Sequence, residues 1–284
     1  MLAGFRIVAA VIVYRLRKLE MANLAAAGSI AVALQLAPLD IVVRTAYAFL
    51  LNALVYLNND YIDIAIDLES ADKDTTKAKY LSENRQAALF AQWFMVAVLA
   101  VVAALYDPGL FVPLVAGGGI CWWYSAQLKH MPYLDILAMM IWGVTMPLCG
   151  SPVQNILGLA MAVQLGWFSG VFESIQVMRD ADEDAEEGVR TTGVVLGKQR
   201  TLMLARGLML ASSVYAALFM HPAAALISAG ALVVPFDETA IERYWTRVKL
   251  VYGVAWLATI AWIFTHGRTS GLLSSIGPLG FGAN

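Results

Sequence analysis

Eight stretches of the chain, 19–38, 41–62, 86–106, 110–127, 133–150, 155–177, 201–220 and 248–265, stay apolar long enough to cross a bilayer, which takes about 20 residues of helix. A ninth, 222–234, is shorter. Polar residues gather almost wholly in the connections between these runs. That pattern predicts an all-α protein, a polytopic transmembrane helical bundle of roughly nine spans. Before the first run, residues 1–14 lack a small-residue cleavage site, and their basic cluster follows the apolar stretch instead of preceding it. This reads as an interfacial helix over 1–18, not a signal peptide. The transmembrane domain is expected over 19–268, with a tail over 269–284.

Composition agrees with the pattern. Of 284 residues, 60% are hydrophobic and 14% charged, and the mean hydropathy is +0.67. That balance is too apolar for a soluble domain and typical of an integral membrane protein. Basic residues then orient it, because they collect on the cytoplasmic side. Arg15, Arg17 and Lys18 precede the first run. Alternate connections carry Lys73, Lys77, Lys79 and Arg85, then Lys129, then Arg190 and Lys198, then Arg243, Arg247 and Lys249. The connections between them are nearly free of basic residues, so the N-terminus and every long polar loop are expected in the cytoplasm. A net charge of −2 and the absence of a basic patch interleaved with aromatics give no sign of a nucleic-acid partner. Cys121 and Cys149 each fall inside an apolar run, without metal-ligand or redox spacing, and read as packing residues.

Two polar clusters break the apolar pattern. The second run ends in Asn59-Asp60-Tyr61-Ile62-Asp63-Ile64-Ala65-Ile66-Asp67. On a helix Asp60, Asp63 and Asp67 share one stripe, with Asn59 a turn before Asp63. Like charges so close repel one another unless a cation lies between them, and hard oxygen ligands suit Mg²⁺. The sixth run ends with Asp180 and Asp184 at i and i+4, followed by Gly188-Val189-Arg190-Thr191. Extended backward, that stripe reaches Gln176 and Glu173, while Asp182 points away toward water. Two such stripes at one membrane face can share metal ions with a bridging anion such as a diphosphate. Lys77, Lys79, Arg190, Tyr124 and Lys129 lie on the same face to meet that anion. Basic residues there also serve topology, Tyr124 also suits an interfacial aromatic belt, and Tyr56, Trp142 and Trp167 also suit packing.

Asn59, Asp60, Asp63 and Asp67 fill an NDxxDxxxD signature, Asp180 and Asp184 with Gly188, Arg190 and Thr191 fill a DxxxD motif continuing to GxRT, and Tyr124-Ser125 with Lys129 is similar to a YxxxxK element. In these motifs the chain resembles the UbiA superfamily of intramembrane prenyltransferases. The resemblance implies a helical bundle around a central cavity open to the cytoplasm, in which Mg²⁺ held by the two motifs binds a prenyl diphosphate. It implies Asp60, Asp63, Asp180 and Asp184 as the catalytic metal ligands with Asp67 beside them, and Asn59, Lys79, Tyr124, Lys129 and Arg190 as substrate-binding residues. Asn52 and Tyr56, on the same helix face as Asp60, join the substrate-binding set. Two positions depart from the family. Lys77-Ala78-Lys79-Tyr80 stands where many members have an Arg-Pro pair, and Asn52 stands where some aromatic-acid members have an arginine, which weakens the case for an acceptor with a free carboxylate.

The expected activity is transfer of a prenyl group from its diphosphate to an aromatic, quinone-precursor or lipid-like acceptor. A terpene cyclase of the same fold, acting without an acceptor, is the alternative. A cation transporter is more remote, since both acidic motifs are expected at one face while a transport site belongs near the midplane.

Overall fold

The structure is a computed structural model that describes residues 2–17, 22–69 and 75–273. Among these it contains helices and turns and no strand. The order is α1 (Leu2–Arg17), α2 (Ala22–Ala33), α3 (Pro38–Ile62), α4 (Ile64–Glu69), α5 (Thr76–Glu83), α6 (Arg85–Leu105), α7 (Gly118–Ala126), α8 (Leu134–Thr145), α9 (Ile156–Arg179), α10 (Ala181–Glu186), α11 (Thr192–Tyr215), α12 (Pro222–Ala229) and α13 (Ile241–His266). A tight turn at Pro108–Leu110 and a wide one at Pro113–Gly117 lead into α7.

Local chemistry sets the helix ends. Pro38 opens α3 where no N–H is needed, Asn155 Oδ1 accepts from Gly158 N at 2.9 Å to start α9, and Thr191 Oγ1 accepts from Val194 N at 3.4 Å to start α11. Gly267, at φ +66°, ends α13 in the left-handed conformation. α9 is the central helix, with 61% of its span buried against 33% for each other long helix. It packs between α8 and α11. A Cβ on Gly193 would collide with the Val177 backbone carbonyl, so glycine lets α11 begin flush against the end of α9.

Six helices among the described residues are long and apolar enough to cross a membrane: Pro38–Ile62, Arg85–Leu105, Pro108–Ala126, Ile156–Arg179, Thr192–Met220 and Glu238–His266. Of the roughly nine expected spans, these six are long helices. The remaining apolar stretches form shorter helices, Leu24–Ala33, Leu134–Gly150 and Pro222–Val233. The first and last reach only about 15–18 Å against a hydrocarbon core of about 30 Å. Gln35, at φ +52°, cuts α2 short, and Pro147 turns the end of the second into a tighter 3₁₀ turn. Large apolar side chains such as Phe90, Trp93 and Phe94 on α6 face outward, as they do in an integral membrane protein whose solvent is lipid.

The helix expected over 1–18 forms as α1 and packs on α3 and α6 through Ile7 and Val11, with Phe5, Val13 and Leu16 outward. Of the expected tail, residues 269–273 run along the wide helical turn Ala216–Met220 that follows α11, where Ser270 N and Leu272 N donate to the carbonyls of Met220 and Ala217 at 2.8 and 2.9 Å. The rest of that tail, 274–284, lies outside the described residues, as do Lys18 and Lys73. At the end of α3 far from the acidic motifs, buried Arg44 pairs with Asp107 and donates to the carbonyls of Ser151 at 3.1 Å and Cys149 at 3.4 Å. Tyr106 donates to Asp40 nearby. A charge inside the bundle is thus satisfied there by structure.

Candidate active site

Both acidic motifs are built alike. A long helix, α3 or α9, ends at an aspartate, Asp63 or Asp180, and a separate six-residue helix, α4 or α10, follows. The C-terminal end of a helix is the negative end of its dipole. Carboxylates added there make a place that asks for cations.

A cavity of about 230 Å³ lies between the motifs. Asp63 and Asp67 line it from the first, Glu173, Gln176, Asp180 and Asp184 from the second, and Tyr124, Lys129 and His130 from the end of α7 and the turn after it. Lys129 Nζ pairs with Asp63 Oδ1, and Asn59 Nδ2 donates to Asp63 Oδ2 at 3.1 Å. Asn59 Oδ1 in turn accepts from Ser125 Oγ at 2.8 Å, which ties the first motif to α7. Tyr124 donates its hydroxyl to Glu173 Oε1 at 2.8 Å. Burial and the neighbouring Lys129 hold the His130 imidazole below its ordinary pKa, so Lys129 supplies the cationic charge among the described lining residues.

In the second motif Arg179 grips Asp180 with two hydrogen bonds, Nε to Oδ1 at 2.6 Å and Nη2 to Oδ2 at 2.9 Å. Thr191 Oγ1 donates to Asp184 Oδ2 at 3.0 Å. Burial pushes the Asp184 carboxyl above the usual range, with that hydrogen bond pulling the other way and Asp180 adding to the rise. Behind the loop, Asp135 is fully buried at the start of α8. Its Oδ2 accepts from Thr192 N at 2.7 Å, and the Thr192 hydroxyl donates to Oδ1 at 2.5 Å.

The structure divides the expected site residues. Asp63, Asp67, Asp180, Asp184, Tyr124 and Lys129 meet at the cavity, and Asn59 supports them from behind. Asp60 does not line it: this aspartate is 3% exposed and takes Arg15 Nη2 on Oδ1 at 2.9 Å and Lys77 Nζ on Oδ2 at 2.7 Å. Lys79 and Arg190 are exposed and do not line the cavity. Asn52 is buried away from it, donating to the Ala48 carbonyl at 3.3 Å and facing Met146. Tyr56 lies under the Arg15 guanidinium, 4.4 Å from ring centroid to Cζ. Arg15 and Asp135 have no motif to announce them, whereas Ser125 lies in the YxxxxK-like element. Asp135 left a signal all the same, as an acid at the head of an apolar run.

The donor set fits Mg²⁺, because the cavity offers carboxylate and amide oxygens and no thiolate. No three carboxylate, histidine or cysteine side chains converge on one point among the described residues. Mg²⁺ needs no such cage, since it keeps several waters and is bound through one or two carboxylates plus substrate phosphates.

The sequence model of the UbiA prenyltransferase family matches residues 22–265, most of the chain and both acidic motifs. The chain belongs to that family. Solved structures of similar fold include a digeranylgeranylglyceryl phosphate synthase, at 14% identity and TM-score 0.68, covering 92% of this chain and 99% of that one. A UbiA homolog from Archaeoglobus fulgidus bound to GPP and Mg²⁺ aligns at 15% identity and TM-score 0.61, covering 98% of this chain and 92% of that one. The same kind of homolog bound to DMAPP and Mg²⁺ aligns at 14% identity and TM-score 0.59, covering 92% and 91%. At these identities the likeness is one of fold. No curated protein sequence matches the chain. This UbiA family member therefore shares its helical layout with proteins far from it in sequence.

Proposed function

We propose that this UbiA family member transfers a prenyl group from a prenyl diphosphate to an electron-rich acceptor, an aromatic ring or quinone precursor, at the cavity between the two motifs. The observation that carries the reading is the meeting of Asp63 and Asp67 with Asp180 and Asp184 around one cavity that also holds Lys129. Asp63 and Asp180, with Asp67 and Asp184 beside them, would hold Mg²⁺. The ion, when bound, neutralises the charge that builds on the departing diphosphate.

The difficult step is breaking the bond between the allylic carbon and the diphosphate oxygen, which leaves an allylic cation and a diphosphate carrying one more negative charge than the ester had. Lys129 pairs with Asp63 and would bind the diphosphate once the carboxylate has another partner. Asn59 holds Asp63 in register through its own bond to Ser125. Tyr124 and Glu173 present a phenol and a carboxylate to the cavity. The acceptor's electron pair closes the new bond, and its proton leaves for solvent or a basic side chain.

Incubation of the purified protein with geranyl, farnesyl and geranylgeranyl diphosphates tests the reading. Phenolic, quinone-precursor and lipid-alcohol acceptors are supplied, with Mg²⁺ or EDTA. Diphosphate release and a prenylated product are expected with Mg²⁺, each falling by at least about a hundredfold in Asp63→Asn and Asp180→Asn. Product formed without any acceptor would replace transfer by cyclisation. No release under any of these conditions would end both.

A further inference from the structure

Each acidic motif carries a counter-cation of its own. Asp63, where α3 ends, pairs with Lys129, and Asp180, where α9 ends, is held by Arg179. The second pairing is bidentate. Arg179 Nε meets Oδ1 at 2.6 Å and Nη2 meets Oδ2 at 2.9 Å, so each carboxylate oxygen accepts one N–H of a planar fork. On its other side the same guanidinium donates from Nη1 to Glu242 Oε2 at 3.2 Å, in the first turn of α13. The Trp245 ring, one turn further along α13, backs it at 5.1 Å from centroid to Cζ. Asp180 lines the cavity, and Glu242 lies exposed outside it. One guanidinium therefore bridges a cavity carboxylate and a second carboxylate on the neighbouring helix.

A carboxylate already gripped by both oxygens is a poorer ligand for a lone divalent ion, which the guanidinium also repels. A metal-bound diphosphate changes that balance, because its oxygens bring negative charge into the cavity. We propose that Arg179 is a positioning residue that couples metal binding to diphosphate binding. It holds Asp180 against a lone metal ion and yields it when the ion arrives with diphosphate, Glu242 then keeping the guanidinium. The inference rests on the reading of the cavity as a metal and prenyl diphosphate site. Arg179 acts only through Asp180 and needs no path into the cavity itself.

The test titrates the full-length protein in detergent with Mn²⁺, which takes the same oxygen ligands as Mg²⁺ and whose unbound form is counted by its EPR signal. Titrations are run without and with saturating geranyl S-thiolodiphosphate, a non-hydrolysable probe. Without the probe, Arg179→Ala should bind Mn²⁺ about fivefold more tightly than the parent, the effect of removing one opposing cation. Glu242→Gln leaves Asp180 as the carboxylate partner of Arg179 and should weaken Mn²⁺ binding about twofold, yet change nothing when added to Arg179→Ala. With the probe present, the advantage of Arg179→Ala should disappear, so that the probe strengthens Mn²⁺ binding less in the variant than in the parent. A residue that merely orients Asp180 predicts the opposite sign. Mn²⁺ binding in Arg179→Ala that equals or falls below the parent's would overturn the inference and leave the prenyl diphosphate reading in place. So would an advantage of the same size with and without the probe. A parent whose Mn²⁺ binding the probe does not strengthen would remove both readings together.

Discussion

At the scale of single residues, the carboxylates differ in what holds them, and this has consequences for pH. Asp184 is raised by burial, and the hydroxyl of Thr191 opposes the rise with a hydrogen bond to the charged form. A metal ligand must be deprotonated, so protons and Mg²⁺ compete for Asp184. Removing the hydroxyl in Thr191→Val lets the pKa climb further, which enlarges the protonated fraction at any pH on the acid side. The acid limb of the activity profile should therefore move to higher pH. The Mg²⁺ concentration for half-maximal diphosphate release should rise several-fold near pH 6 and little at pH 8. An acid limb unmoved in Thr191→Val would separate Asp184 from metal binding. Spacing alone made Asp63, Asp67, Asp180 and Asp184 legible, since i, i+4 partners stay together even where the helix breaks. Asp60, which shares that spacing, is met by cations from α1 and α5, and no local pattern records such a meeting. The choice between Lys77 and Lys79 was equally hidden: burial of Ala78 and Leu81 sets the phase of α5, and an eight-residue helix is too short for periodicity to declare it.

At the scale of elements, the second motif depends on how α8, α9 and α11 come together. Gly193 lets α11 touch the backbone of α9, and Asp135 ties the first residue of α11 to the start of α8. The buried Asp135 carboxylate is met by hydrogen bonds from Thr192 and from Ile136 N at 2.8 Å, so its charge is satisfied at two helix N-termini. Asp135→Ala would leave the Thr192 N–H and hydroxyl proton unmet in the interior, with only the acceptor side of that hydroxyl still held by Tyr133 N. A loss of about 2 kcal/mol in stability is expected, read as a lower unfolding temperature in detergent, together with weaker Mg²⁺ binding as the Thr191 contact to Asp184 loosens. Unchanged stability would show the clamp to be dispensable. Hydropathy found the long helices because lipid demands long apolar runs, but it stopped at the membrane. α11 begins at Thr192 and not near 201, running through Lys198, Gln199 and Arg200 past a bend at Gly197, φ +71°. Val194, Val195 and Leu196 are too short an apolar run for hydropathy to find that part of the helix, which shapes the loop behind Asp184.

At the scale of the whole molecule, the two ends of the bundle differ in kind. One end holds both acidic motifs, the cavity and the cations Arg15, Lys77, Lys129 and Arg179, while the other holds the closed pairs Arg44 with Asp107 and Tyr106 with Asp40. A transport pathway would call for acidic groups near mid-helix facing a route to both sides, whereas the acidic motifs here meet at a cavity at one end. From the excess of lysine and arginine near the cavity end, we propose by the positive-inside tendency that this end faces the cytoplasm. Labelling can decide the orientation, because Cys121 and Cys149 are both buried and leave a quiet background. Glu186→Cys, exposed beside the second motif, should react with a membrane-impermeant maleimide in inverted vesicles and stay unlabelled in intact cells. Gln154→Cys, exposed in the loop before α9, should do the reverse. Opposite labelling of the pair would turn the cavity outward and deny it the cytoplasmic supply of prenyl diphosphate on which the proposed reaction depends. Labelling of both from the same side would mean that α9, which joins them, does not cross the membrane, and the bundle built around α9 would have to be redrawn.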